Sequence, residues 1–159
     1  MAATVYIETS VFSARFSHRR DPASLYRRQA TEQWWIQERL RYTLSTSLAV
    51  VDELRAGVYP GQGEAVAMAE SLPAIPVTDE ALEVAEIYIR HHLMPEGAGG
   101  DAPHLALASL REVDYLLTWN IRHLANPNKV DHMAVINRRL GLMSPVILSP
   151  DMLWHEEMP

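Results

Sequence analysis

The stretch "GGDAPHLALASLREVDYLLTWN", residues 99–120, carries the reading of the fold. Two glycines lead into Asp101, which opens an apolar pattern with helical spacing over 101–112. A strand pattern, Tyr115-Leu116-Leu117-Thr118, follows closely and stops at Trp119-Asn120. A helix that runs straight into a short β segment is half of a βαβ unit, and repeated βαβ units build a parallel sheet. The stretch also places an acid at a helix start and an amide just past a strand end.

Working outward, "TVYIE" at 4–8 reads as a first strand, β-branched and aromatic enough to be central. A helix is expected over 21–40, with Asp21 as N-cap and Pro22 at the first helical position. Leu25, Trp34, Trp35 and Leu40 mark its apolar stripe. "RYTLST" gives strand two, followed by a helix from Ser47 to a Gly57 cap and another from Gly61 to Leu72. "AIPV" gives strand three, and Thr78 caps a helix over 78–94. "PEGAGG" is a loop, 128–141 the final helix, and "PVIL" at 145–148 strand five. Strands alternate with helices, and no connection is short enough for a hairpin. The expectation is α/β: a single three-layer α/β/α domain spanning 1–159 around a parallel sheet of about five strands.

Composition narrows the class. A chain of 159 residues that is 48% hydrophobic and 21% charged suits one globular core. No apolar run reaches the roughly 20 residues of a membrane span, and "MAATVYIETS" has no basic leader, so no membrane partner is expected. With zero cysteines, disulfides and thiolate zinc sites are excluded, and the expected location is cytoplasmic. The net charge of -6 is unevenly spread: residues 1–60 hold 8 Arg against 6 acids, and the remainder is strongly acidic.

Ligands of open α/β sheets bind beyond the carboxyl ends of the strands. That rule selects Glu8 at the end of strand one, Glu53 on the helix after strand two, Asp101, and Asn120 past strand four. Three carboxylates brought together repel one another unless a cation joins them. Mg²⁺ or Mn²⁺ accepts such oxygen ligands, and phosphodiester hydrolysis is the chemistry such a site assembles.

The segments "VYIETS", "VDELRAG", "GGDAPHLALA" and "DYLLTWNIRHLAN", in this order and spacing, resemble a PIN domain over nearly the whole chain. They are most similar to the VapC-type toxin ribonucleases of toxin–antitoxin pairs. The resemblance implies a metal-dependent endoribonuclease with Glu8, Glu53 and Asp101 as metal ligands and Asn120 completing the catalytic quartet. It further implies an RNA substrate, a homodimer and an antitoxin protein that blocks the site. Two positions depart from the family pattern: Glu8 stands where an Asp is usual, and Asn120 where an acid is usual. The first adds a methylene, and the second keeps an oxygen while removing a charge. The alternative reading is a PIN fold with weakened or no catalysis that binds RNA or protein.

Thr118, His104 and His123 are candidates to support the site or contact substrate, and Arg15 and Arg19 belong to an Arg-rich stretch placed to steer RNA. Each has a plainer reading: strand filling for Thr118, helix packing for His104, loop bonding for His123 and Asn126, a solvated face for the arginines. Which of Asp52 and Glu53 points inward stays open at this level. Gly61 to Gly63 and the glycines at 97–100 read as loops, since no Walker pattern completes them. His91-His92 lacks ligand partners, and Trp34-Trp35 reads as core.

Overall fold

Strand β1 (Thr4–Ile7) is the middle of a five-stranded, wholly parallel sheet, with β2 (Thr43–Ser47) on one side and β4 (Tyr115–Leu117) on the other. Strands β3 (Ala74–Ile75) and β5 (Val146–Leu148) are its edges, giving the order β3-β2-β1-β4-β5. Val5, Tyr6 and Ile7 are wholly buried, as expected of a strand covered on both faces. The computed structural model describes residues 1–93 and 101–155. The expected loop at 95–100, with its glycines, lies outside the described residues.

Seven α-helices flank the sheet among the described residues. They are α1 (Thr9–Arg15), α2 (Pro22–Gln37), α3 (Leu48–Arg55), α4 (Gln62–Glu70), α5 (Asp79–Arg90), α6 (Asp101–Leu110) and α7 (Pro127–Arg139). By the right-handed rule for parallel crossovers, the connections from β1 through β2 to β3 should put α1–α4 on one face, and the return through β4 to β5 should put α5–α7 on the other. The packing agrees. Helix α1 lies against α2, α3 and α4, α5 lies against α6, and Tyr88 of α5 donates to Asn137 Oδ1 of α7 at 2.5 Å. The chain is therefore a three-layer α/β domain.

Three caps stand where the sequence puts them: Asp21 accepts from Ser24 N, Ser47 from Val50 N and Thr78 from Ala81 N. Asn126, read from the sequence as a loop residue, also caps a helix, accepting from Asn128 N at the start of α7. Gly57 ends α3 in the left-handed region, with φ 75°.

Other boundaries differ for physical reasons. Helix α1 has no counterpart in the sequence reading; Glu8 leaves the strand and caps it, accepting from Ser10 N. Helix α2 stops at Gln37, and Arg39–Arg41 form a 3₁₀ turn. Its buried face is Ala30, Thr31, Trp34 and Trp35, whereas Leu25 and Leu40 are exposed. Strand β3 ends before Pro76, which has no N–H to continue a ladder. Helix α5 ends at Arg90 rather than Met94, because His92 turns left-handed with φ 56°. Gly61 is the turn residue that enters α4, at φ 86°, where a Cβ would collide with the Phe16 carbonyl, whereas Gly63 lies inside the helix rather than in a loop.

Candidate active site

The sheet order changes direction between β1 and β4: β1 connects outward to β2, and β4 returns on the opposite side. Such a switch point leaves a crevice at the carboxyl edge. A cleft of about 1290 Å³ occupies it, lined by Glu8, Glu53, Asp101 and Asn120 together with Ser10, Arg19, Arg27, Trp119, Arg122 and His123. Four polar residues chosen from distant parts of the chain thus share one cavity. Glu53 faces it, and Asp52 is exposed elsewhere on α3.

Glu8 is only 5% exposed because its carboxylate does structural work. Its Oε2 accepts from Ser10 N at 3.0 Å, from Ser10 Oγ and from Thr118 Oγ1 at 2.7 Å. Ser10 Oγ also accepts from Trp119 N at 2.8 Å, so β1 and β4 are tied together just beyond their ends. Thr118, fully buried, accepts in turn from Asn120 N at 2.9 Å.

Helix α6 runs back toward the start of β4, so its first residue, Asp101, sits at the carboxyl edge. Asp101 Oδ2 accepts from Asn120 Nδ2 at 2.8 Å, while Asn120 Oδ1 accepts from His123 N at 3.3 Å. The amide therefore turns its nitrogen, not its oxygen, toward the acid. Burial raises the Asp101 pKa above the ordinary carboxylate value, and the charge of Glu8 raises it further; the Asn120 bond and the nearby His104 and His123 work against that rise.

Glu53 is held at both oxygens, by Thr9 Oγ1 at 2.5 Å and by His104 Nε2 at 2.9 Å. Burial alone would lower the His104 pKa, but the Glu53 bond and the charges of Glu8, Glu53 and Asp101 outweigh it and hold the imidazole above its ordinary value. Burial also pushes the Tyr6 phenol beside it well above the usual tyrosine range.

The donor set suits a hard divalent cation. Mg²⁺ commonly takes one or two carboxylates and fills the remaining positions with water. Glu8 and Asp101, whose charges bear on one another, are the pair that would hold such an ion, and Glu53 faces the same cleft. Among the described residues no group of three His, Cys, Asp or Glu side chains is arranged to hold an ion.

The remaining candidates divide. Arg19 and His123 line the cleft. Arg15 does not; its guanidinium lies 5.1 Å from the Phe16 ring and 5.5 Å from the Trp35 ring and donates to Met68 Sδ. Asn126 serves the loop and the α7 cap. His91 and His92 are exposed, and Trp34 and Trp35 are core, with Trp34 Nε1 donating to Leu153 O. Arg27, which also lines the cleft, falls in the Arg-rich stretch from Arg15 to Arg28, whereas sequence reasoning passed over Thr9, Ser10, Trp119 and Arg122. The signal for the first two was position, immediately after the strand-end acid.

Fold and cleft together define an α/β domain with a carboxylate-lined site at the switch point of a parallel sheet. No protein-family model matches the chain, and no curated protein matches it significantly. No helix among the described residues is long and apolar enough to cross a membrane.

Proposed function

We propose that this protein is a PIN-type endoribonuclease dependent on Mg²⁺ or Mn²⁺, the toxin of a type II toxin–antitoxin pair. One observation carries the reading: three carboxylates and an amide from four separate segments line one cleft at the carboxyl edge of the sheet. Glu8 and Asp101 would hold the ion, with Glu53 as the third carboxylate. When bound, such an ion lowers the pKa of water and stabilises charge on a phosphoryl oxygen.

The chain's own residues do the rest. Asn120 orients Asp101, and Ser10 and Thr118 orient Glu8. Arg19, Arg27 and Arg122 line the same cleft and supply cationic forks for the flanking phosphates. In this reading RNA is the substrate, a homodimer the working form, an antitoxin protein the partner that covers the cleft, and the cytoplasm the place of action. The test is cleavage of RNA with Mn²⁺ by the wild type and by Asp101→Asn. Equal activity in the two removes Asp101 from the mechanism.

A second reading, a PIN-fold module that binds RNA or protein without cleaving it, has one observation in its favour. The Asn120 nitrogen faces Asp101, so that position offers a donor where a ligand would be needed. Calorimetric titration decides: absence of Mn²⁺ binding at millimolar concentration selects the module.

A further inference from the structure

A chain of buried polar groups leads from the interior of the domain to the cleft. Ser47, the last residue of β2, caps α3 by accepting from Val50 N at 3.2 Å. The Tyr6 hydroxyl donates to Ser47 Oγ at 2.7 Å and meets His104 Nδ1 at 2.7 Å. The opposite nitrogen of His104 bonds Glu53 at 2.9 Å, and Glu53 rides on the helix that Ser47 caps. These hydrogen bonds and the backbone of α3 therefore close into a ring through β1, the β2–α3 junction and α6.

Ser47, Tyr6 and His104 are fully buried, whereas the Glu53 side chain is 30% exposed. The ring has one open side, and it faces the cleft. Burying three polar side chains is unfavourable unless each is bonded, and a phenylalanine–leucine pair would fill similar space without that demand. The ring also reaches Asp101. His104 follows it by three residues on α6, so fixing the imidazole fixes the turn from which Asp101 projects.

We propose that His104 is a positioning residue: tied to Tyr6 and Ser47 on one side, it holds the Glu53 carboxylate, and thereby its spacing from Asp101, in the arrangement that the cation and RNA require. The role rests on the nuclease reading, and the bonds do not. Neither His104 nor Tyr6 lines the cleft, so the effect of changing them should fall on metal affinity and kcat and leave KM for RNA in place.

The side-chain amide nitrogen of glutamine lies near the position of the imidazole Nε2, and that of asparagine near Nδ1. His104→Gln therefore keeps a donor for Glu53, and His104→Asn loses it. Mn²⁺ affinity of the full chain, read by electron paramagnetic resonance of the free ion, should stay within about threefold of wild type in His104→Gln and fall roughly 10–100-fold in His104→Asn. Tyr6→Phe, which removes one oxygen, should fall between. RNA cleavage should follow the same order in kcat.

Equal losses in the glutamine and asparagine variants, or no loss in either, overturn the positioning role while the nuclease reading stands. A wild type that binds no Mn²⁺ overturns that reading and the role in metal binding with it. The ring has a metal-free test. Tyr6 and Glu53 share no hydrogen bond with each other, so in a double-mutant cycle of Tyr6→Phe and Glu53→Gln, non-additivity of threefold or more in the unfolding constant is expected if the ring couples them. Additivity overturns the ring.

Discussion

Replacing Asn120 by Asp changes one atom's chemistry at the most heavily charged point of the cleft. Asn120 Nδ2 donates to Asp101 Oδ2 at 2.8 Å, and Asp101 already has a raised pKa from burial and from the Glu8 charge. Asn120→Asp keeps the volume, removes the donor and adds a negative charge. A hydrogen bond to a charged group contributes about 1.5–3 kcal/mol. Two carboxylates roughly 4 Å apart repel by about 4 kcal/mol at an effective dielectric of 20. The pair relieves part of that by retaining a proton, so the expected loss of stability in the metal-free protein is about 2–4 kcal/mol near pH 8.

The sign with pH follows from the same groups. A carboxyl whose folded pKa is raised contributes stability that is complete below its unfolded value, about 3.9, and lost as pH rises through the folded value. At acid pH, below the folded value, the new pair shares a proton and regains an O–H···O bond, and the loss should shrink. Millimolar Mn²⁺ should reverse the deficit near pH 8, because a ligand that prefers the folded state stabilises it. Urea unfolding of both proteins at the two pH values, with and without Mn²⁺, reads all of this. Wild-type stability near pH 8, or an equal deficit at both pH values, refutes the orientation assigned to Asn120.

Thr118→Val removes a fully buried donor to Glu8 and the acceptor for Asn120 N, and should lower unfolding free energy by about 2–3 kcal/mol in urea. In metal-free protein, the stability from the raised His104 pKa is complete below the ordinary value of 6.5 and lost as pH rises through the folded one. The urea midpoint should therefore fall from neutral to alkaline pH, and His104→Gln should flatten that slope. Gly61→Ala meets both the left-handed backbone and the Phe16 carbonyl, so it should cost more than about 2 kcal/mol. Gly57→Ala, at φ 75° in open space, should cost only about 1 kcal/mol in the same assay. Arg27→Ala should raise KM for RNA and reduce the log–log salt slope by about 0.7, the value of one phosphate contact on a single strand.

The alternation of strands and capped helices was legible because caps are local chemistry. Asp21, Ser47 and Thr78 each bond a backbone N–H three residues on, and their types announce it. Helix α1 was hidden because its cap is a glutamate, outside the usual N-cap set, and because its seven residues carry no Gly or Pro boundary. On α2, hydrophobicity pointed to Leu25 and Leu40, but the tightly packed face uses Ala30 and Thr31, whose small size suits close approach rather than high transfer energy. Arg15 advertised its charge and not its neighbours, two aromatic rings that cover the guanidinium. The four residues of the cleft were legible from one topological rule about strand ends. The direction of the Asn120 amide was not, because it depends on the His123 backbone N–H three residues away.

Glu8 and Asn120, the two departures from the pattern the sequence resembles, are joined by a single hydroxyl. Thr118 Oγ1 donates to Glu8 Oε2 and accepts from Asn120 N, so the strand-one acid and the strand-four amide are set by the same side chain. The longer Glu8 side chain curls back to Ser10 and caps α1 through Oε2. Asn120 then neutralises one oxygen of Asp101 by donation, where a fourth acid would add repulsion to a carboxyl already pushed up by burial and by Glu8. The two substitutions act in one direction: they satisfy the carboxylates from within the chain and lower the electrostatic strain of the metal-free fold. A site preset in this way should bind a divalent cation more weakly than one with four acids, and its affinity should rise when Asn120 is made acidic, at the cost in metal-free stability derived above.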